Sequence, residues 1–222
     1  MKVLLVQLDG KIPNLALMKC SAYYKAKGYE VQLQTMSPRA KKYVPPAGIP
    51  AGAVVVGSLI FEKTRPMAEQ LVAAFPQAVV GGSGWDLKRD LPSIGIFTQE
   101  QDYSIYPEWT QSIGFSQRGC RLRCPFCVVP KMEGRVNDVN SIAEIWRGDP
   151  WPKHLVLLDN DFFGQESWPQ KIEEIRAGGF KVNFNQGINA RFLTDETAAA
   201  IGSVDYRDVN MRDRQIYTAW DN

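Results

Sequence analysis

A chain of 222 residues, 45% hydrophobic and 23% charged, has the composition of a globular protein with one large or two small domains. Its net charge of +2 gives no strong nucleic-acid signature. No stretch approaches the roughly 18 apolar residues of a membrane span, and the apolar run 3–6 is too short for a signal peptide. We therefore expect a cytoplasmic protein without a membrane partner, in a compartment that keeps thiols reduced.

The first part of the chain alternates short apolar runs with helical patterns, which predicts a parallel sheet flanked by helices. Strands are predicted at 3–7, 31–33, 53–58 and 78–80. Asn14 is predicted to cap a helix that Gly28 ends, and Pro66 to open a second helix. The glycines in the run 81–84 allow close approach of the backbone to a ligand or to a neighbouring loop.

The segment 99–109 is polar with several aromatic residues and is interpreted as a linker. We therefore place the first domain at residues 1–108 and the second at 109–222. Strands of the second domain are predicted at 112–116, 155–158, 182–185 and 215–219. Ser141, Ser167 and Thr194 are predicted to cap its helices.

Three of the four cysteines lie in one short run, Cys-x3-Cys-x2-Cys, at Cys120, Cys124 and Cys127. Cubane iron–sulfur clusters are bound by such closely spaced thiolates, normally four of them. No fourth cysteine is nearby, which leaves one iron free for an exogenous ligand. The run is therefore interpreted as catalytic rather than structural.

Other readings of the cysteines are weaker. Structural zinc needs four ligands, and the one histidine, His154, is distant in sequence. A thioredoxin-like pair at Cys124 and Cys127 needs no third cysteine upstream. Four cysteines are too sparse for a disulfide framework, and Cys20 is expected to be an inert core residue because it falls in an apolar helical pattern. Three flanking arginines are predicted to lower the pKa of the thiols, namely Arg118, Arg121 and Arg123.

Together with its flanks, 113–118 before and 128–134 after, the run resembles the signature of the radical S-adenosylmethionine superfamily. The resemblance implies a 4Fe-4S cluster on Cys120, Cys124 and Cys127, with S-adenosylmethionine as the second cofactor. It also implies a one-electron reductant and an unknown substrate as partners. The predicted fold class is α/β, with a Rossmann-like parallel-sheet domain followed by a partial βα barrel of radical S-adenosylmethionine type.

The resemblance also suggests cofactor-binding residues. Phe126 is expected near the adenine, although it could instead shield the cluster from water. Asp159 and Asn160 occupy the position of the family's Gly-Gly-Glu-like stretch, which contacts the amino group of the methionine moiety. The exact motif is absent, so a solvated acidic turn is an alternative. Asn185 ends the predicted third strand of this domain and Arg191 follows it, where Arg191 could bind a carboxylate or only pair with an acid such as Asp159.

The order of elements in the first domain resembles the cobalamin-binding-like domain that precedes some radical S-adenosylmethionine cores. The loop 8–14 lacks the histidine of the family's Asp-x-His-x-x-Gly motif, so ligation of cobalt by that histidine is excluded. The domain is interpreted as a substrate- or partner-facing remnant, with binding of a corrinoid in another mode as the weaker alternative. Only four strands are predicted after residue 109, against six βα units typical of the radical core, which indicates an abbreviated barrel or a fragment. Two further readings stay open: an iron–sulfur protein without turnover, and an enzyme resembling the tRNA methylthiotransferases, whose N-terminal domain normally adds further cluster cysteines.

Overall fold

A computed structural model describes residues 1–219. The chain divides into two compact units, Met1–Trp109 and Thr110–Asn222, one residue beyond the boundary expected from the sequence. None of the helices in the described part of the chain is both long and apolar enough to cross a lipid bilayer.

The first unit is an α/β fold around one parallel sheet. Its elements are β1 (Lys2–Gln7), α1 (Leu15–Ala26), β2 (Glu30–Thr35), β3 (Val54–Ser58), α2 (Arg65–Ala74) and β4 (Val79–Gly81). The strand order is β2-β1-β3-β4, and each neighbouring pair is parallel. The four predicted strands and both helices are confirmed, and this order is consistent with a Rossmann-like sheet.

Helices cover both faces of this sheet. Alternate residues of β1 enter two different cores: Val3 and Leu5 pack with Leu17 of α1, whereas Leu4 and Val6 pack with Leu71 of α2. A strand covered on both faces needs a continuous apolar run rather than an alternating one, which explains the sequence of β1.

The ends of α1 follow the predicted local chemistry. The side chain of Asn14 accepts a hydrogen bond from Leu17 N at 3.1 Å, and Gly28 adopts a φ of 79° just beyond the helix. Within the helix Cys20 is fully buried, and burial raises the pKa of its thiol to about 12. Cys20 is therefore an inert core residue, as predicted.

The glycine run after β4 packs against the loop that follows β3. Gly82 has a φ of 103°, and a Cβ added there would lie 2.2 Å from the carbonyl oxygen of Leu59. A Cβ added at Gly84 would lie 2.7 Å from the carbonyl carbon of Phe61. Of the two uses expected for these glycines, the structure shows the approach to a neighbouring loop.

Asp102 fixes the last segment of the first unit to α1. Its carboxylate accepts hydrogen bonds from Ser21 Oγ at 2.5 Å and Ser104 N at 2.9 Å, and pairs with Lys25 Nζ at 2.7 Å. Burial opposes ionisation of Asp102, but these bonds outweigh it and hold its pKa at about 2. Because the pKa in the folded state is below the unfolded value, the stabilisation is complete above about pH 4 and is lost as the pH falls towards 2.

We therefore expect Asp102→Asn to lower the free energy of unfolding at pH 6 by about 1 kcal/mol, after allowing for solvent screening at this partly exposed site. The difference between variant and wild type should shrink steadily below about pH 4. Urea unfolding at a series of pH values measures it. A difference that is the same at pH 6 and pH 2.5 would show that the ionised carboxylate is not responsible.

The second unit is also α/β with a parallel sheet. Its strands are β5 (Ser112–Gly114), β6 (Gln117–Arg118), β7 (Asn137–Asp138), β8 (His154–Leu157), β9 (Lys181–Phe184), β10 (Ile188–Asn189), β11 (Asp205–Tyr206) and β12 (Thr218–Ala219). Its α-helices are α3 (Val129–Met132), α4 (Ile142–Ile145), α5 (Trp168–Ala177) and α6 (Asp195–Gly202).

The main sheet has the order β11-β9-β8-β5, so its strands lie side by side in the order in which they occur in the chain. All three pairs are parallel. One apolar core joins alternate residues of the strands, Leu155, Leu157, Val182 and Phe184, to residues of the intervening helices, Ile142, Ile145, Ile172, Ile175 and Ile201. Helices α4, α5 and α6 therefore pack on one face of the sheet.

Two local predictions in this unit are wrong. The segment 215–219 is not the fourth strand of the main sheet: Thr218–Ala219 pairs with β10, and the fourth strand is β11. Two residues are too few to give β11 a periodic signal. Ser167 precedes α5 but does not cap it with its side chain, because its hydroxyl donates to Asp138 at 2.7 Å instead. The predicted caps at Ser141 and Thr194 are confirmed, each as a capping box.

Candidate functional site

Three loops that follow adjacent strands of the second unit contain every candidate site residue. The cysteine loop, residues 119–136, follows β5 and β6; the acidic loop, residues 158–167, follows β8; and the third loop, residues 185–193, follows β9. Since β5, β8 and β9 are parallel neighbours, their carboxyl ends lie at one edge of the sheet, where βα folds place their chemistry.

The cysteine loop is closed at its base. Its outgoing strand β6 pairs with its returning strand β7 in an antiparallel ladder. Gly119 begins the loop with a φ of 84°, and Cys120 N donates to the carbonyl oxygen of Gly134 at 3.4 Å. The two ends of the loop therefore meet, and the three cysteines lie on a segment that is closed by backbone hydrogen bonds.

Glu133 connects the base of the cysteine loop with the acidic loop. One carboxylate oxygen accepts from the Arg118 guanidinium at 2.7 Å. The other accepts from Gly119 N at 2.8 Å and from Asn160 Nδ2 at 3.3 Å. The amide of Asn160, predicted to contact cofactor, is thus hydrogen-bonded to Glu133. No local sequence signal marks Glu133, because its partners lie elsewhere in the chain.

Arg121 connects all three loops. Its backbone N–H and its Nε donate to Asp161 Oδ2 at 3.2 and 3.0 Å. Its guanidinium lies 4.7 Å from the ring centroid of Phe192 in the third loop, within the range of a cation–π contact. Arg121 of the cysteine loop therefore contacts one residue of each of the other two loops.

All three candidate cluster cysteines are free thiols and half-buried. Cys127 N donates to Cys124 O at 3.0 Å, which makes a turn between these two residues, and Leu122 N donates to Cys120 Sγ at 3.4 Å. In residues 1–219, no group of three His, Cys, Asp or Glu side chains is placed to hold a metal ion. The donor set itself, three closely spaced thiols on one ordered loop, fits an iron–sulfur cluster.

The expected lowering of the thiol pKa is wrong for Cys120. Burial raises the pKa of Cys120, and the charges of Asp161, Cys127 and Cys124 raise it further. Arg121 does not offset this effect, because it pairs with Asp161. A bound cation would favour the thiolate form of these cysteines, because metal ligands must be deprotonated.

Asp159 lies inside the fold, with 4% of its surface exposed. Its carboxylate accepts from Ser116 N at 2.7 Å, Ser116 Oγ at 2.5 Å and Gln117 N at 3.0 Å. Burial raises the pKa of Asp159, and these hydrogen bonds oppose the rise. The alternative of a solvated acidic turn does not describe this residue: Asp159 fixes the backbone where the chain leaves β5 for the cysteine loop.

The remaining candidates are more accessible. Phe126 is 71% exposed, and Asn185 is half-buried, with its backbone N–H bonded to Leu157 O at 2.9 Å. Arg191 is exposed, and its Nε donates to Asn189 Oδ1 at 3.4 Å. Across the described part of the chain, no ion pair joins Arg191 to Asp159, so the purely structural pairing considered for Arg191 is not observed.

No protein-family model and no curated protein matches this sequence. The interpretation of the site therefore depends on the cysteine spacing and on the geometry of the three loops.

Proposed function

We propose that this protein is a radical S-adenosylmethionine enzyme, or part of one, which cleaves S-adenosylmethionine reductively and starts radical chemistry on a substrate. The carrying observation is the Cys-x3-Cys-x2-Cys run on a closed loop at the carboxyl edge of a parallel sheet. Cys120, Cys124 and Cys127 would hold a 4Fe-4S cluster. When bound, that cluster supplies the electron for cleavage and an open iron for the methionine moiety.

The arrangement of the second unit supports a partial βα barrel of this type. The four strands of its main sheet follow one another in chain order, and α4, α5 and α6 all pack on one face of that sheet. Each added βα unit in such an arrangement extends the sheet in one direction, as in βα barrels.

The accessible residues of the three loops would bind S-adenosylmethionine. Phe126 offers an exposed ring for the adenine, and Arg191 offers a guanidinium for the methionine carboxylate. Asn185 would supply an amide at the end of β9. Asn160 could contribute only by sharing or exchanging its bond with Glu133. Asp159 would act indirectly, by holding the backbone at the base of the cysteine loop.

The test is anaerobic reconstitution with ferrous iron and sulfide, followed by dithionite and S-adenosylmethionine. We expect about four irons per chain, binding of S-adenosylmethionine that requires the cluster, and release of 5′-deoxyadenosine and methionine. Cluster-free protein is the control. Equal affinity for S-adenosylmethionine in clustered and cluster-free protein would contradict the proposal, as would tight binding of one zinc with no capacity for iron.

A second candidate is an iron–sulfur protein that does not cleave S-adenosylmethionine. It is favoured by one observation: both residues at the position of the Gly-Gly-Glu-like stretch are engaged within the protein, Asp159 with Ser116 and Gln117, and Asn160 with Glu133. The same experiment separates the candidates. A stable cluster with no 5′-deoxyadenosine would support the second.

A further inference from the structure

A lysine is buried beneath the base of the cysteine loop. Lys171 of α5 is 5% exposed, and its Nζ donates to the carbonyl oxygen of Ser116 at 3.0 Å and pairs with the carboxylate of Asp138. Removing an ammonium group from water costs several kcal/mol, which only close partners offset. Both partners of Lys171 belong to the segments that lead into and out of the cysteine loop.

These two partners lie on opposite sides of the loop base. Ser116 is the residue before β6, where the chain leaves for the cysteine loop, and Asp138 lies in β7, where it returns. The carbonyl oxygen of Ser116 also accepts from Val139 N at 3.0 Å. Lys171 therefore connects the outgoing and returning segments from below, through a helix that is anchored in the core by Ile172 and Ile175.

Asp159, which follows β8, also binds Ser116. It accepts from the backbone N–H and the hydroxyl of Ser116, while Lys171 donates to the Ser116 carbonyl. Every polar group of Ser116 is thus bound to a buried charged side chain. Lys171 and Asp159 are also close enough for their opposite charges to interact, which reduces the cost of burying each.

We propose that Lys171 is a positioning residue for the cysteine loop: its ammonium group ties Ser116 to Asp138 and fixes the base of the loop that presents the three thiols. The consequence for metal binding rests on the proposed function. The role of Lys171 in ordering the loop is independent of the proposed function, because it follows from contacts within the metal-free protein.

Amide hydrogen exchange of the metal-free protein tests the ordering. In Lys171→Met, the amides that report the loop base, those of residues 117, 119, 120, 139 and 140, should exchange at least about tenfold faster, whereas amides of β8 and β9 keep their rates. Lys171→Arg, which retains the charge, should restore part of the protection. The matched control on the same helix is Arg176→Met, which removes a surface pair with Glu173 and should leave the loop base unchanged.

Two results would overturn the proposal: unchanged exchange at the loop base in Lys171→Met, or an equal acceleration throughout the second unit, which would make Lys171 a general stabiliser. If Lys171→Met does not fold, Asp138→Asn removes the more exposed partner of the pair. It should accelerate exchange at the same amides, and no change there would equally overturn the proposal.

A second readout uses ferrous iron and sulfide as the probe. After loading, Lys171→Met should lose its cluster absorbance to a chelator at least about tenfold faster than wild type, with Lys171→Arg intermediate. Cluster loss at the wild-type rate in Lys171→Met would contradict a positioning role. Failure of wild-type protein to load iron would refute the proposed function, while the exchange experiment would still decide the role of Lys171.

Discussion

Replacing Cys120, Cys124 or Cys127 by Ala is expected to abolish the charge-transfer absorbance of anaerobically reconstituted protein. Each change removes one of three thiolates from a site that has no fourth cysteine nearby, and two thiolates do not hold a cubane cluster. Iron and sulfide should fall from about four of each per chain to near zero. The measurement is iron and sulfide content together with the visible spectrum, taken on all three variants and on wild type.

The control is Cys20→Ala. Cys20 lies in the core of the first unit, so this change leaves a small cavity and should cost about 1 kcal/mol of stability without loss of cluster. Equal loss of iron in Cys20→Ala and Cys124→Ala would show that reconstitution depends on thiol number rather than on the cysteine loop. Retention of the full cluster in any of the three loop variants would refute the assignment of that cysteine.

Gly119→Ala is expected to prevent cluster loading without touching a cysteine. Gly119 has a φ of 84°, which costs a residue with a Cβ about 1 to 2 kcal/mol. An added Cβ would also lie 2.3 Å from the carbonyl oxygen of Arg135, so the outgoing and returning segments must separate. Overpacking of this kind costs a further 1 to 3 kcal/mol or so. Cys120 is the next residue and would move with the displaced backbone.

Gly134→Ala is the matched control. Gly134 also has a positive φ, 73°, but an added Cβ there meets no atom within 4 Å. Its substitution should therefore cost only about 1 to 2 kcal/mol of backbone strain and leave most of the iron in place. Iron content and thermal unfolding of the two variants, compared side by side, measure the difference. Equal iron loss in both would show that strain at positive φ, rather than contact with Arg135, controls the loop.

The internal hydrogen bonds of the acidic loop bear on how the site would use S-adenosylmethionine. Asp159 and Asn160 are both engaged within the protein, whereas Phe126 and Arg191 are accessible. In the proposed function, the adenine and carboxylate ends of the cofactor would meet exposed side chains, and its amino group would meet an amide already bonded to Glu133. We therefore expect the cysteine loop and the third loop to contribute more to binding of S-adenosylmethionine than the acidic loop does.

Patterns of local origin were predictable from the sequence. The alternation of apolar runs and helical segments predicted all four strands of the first sheet and three of the four strands of the second, because burial of a face sets a recognisable period in the sequence. Asn14, Ser141 and Thr194 marked helix starts, since a cap bonds to residues three positions away. The cysteine run is equally local, and the shared metal centre that its spacing predicts stays a prediction.

Ser167 and β12 show where local rules failed. Ser167 has the chemistry of a cap, but the carboxylate of Asp138 competes for its hydroxyl across 29 residues of chain. The segment ending in Thr218–Ala219 pairs with β10 rather than with the main sheet, because pairing partners are selected by tertiary packing. The burial of Lys171 had a detectable signal: the residue stands next to Ile172 and four residues before Ile175, on the apolar side of α5.

The sequence by itself determined the α/β class, the four strands of the first unit, three of the four strands of the main sheet in the second unit, and the run of three cysteines. Only the tertiary structure decided what the charged residues around that loop do. Asp159 and Ser116 are 43 residues apart, Lys171 and Ser116 are 55 apart, and Arg121 and Asp161 are 40 apart. Contacts between residues so far apart produce no periodic pattern in the sequence. They depend on which strand ends lie at the same edge of the sheet, and on which charged side chains pair there.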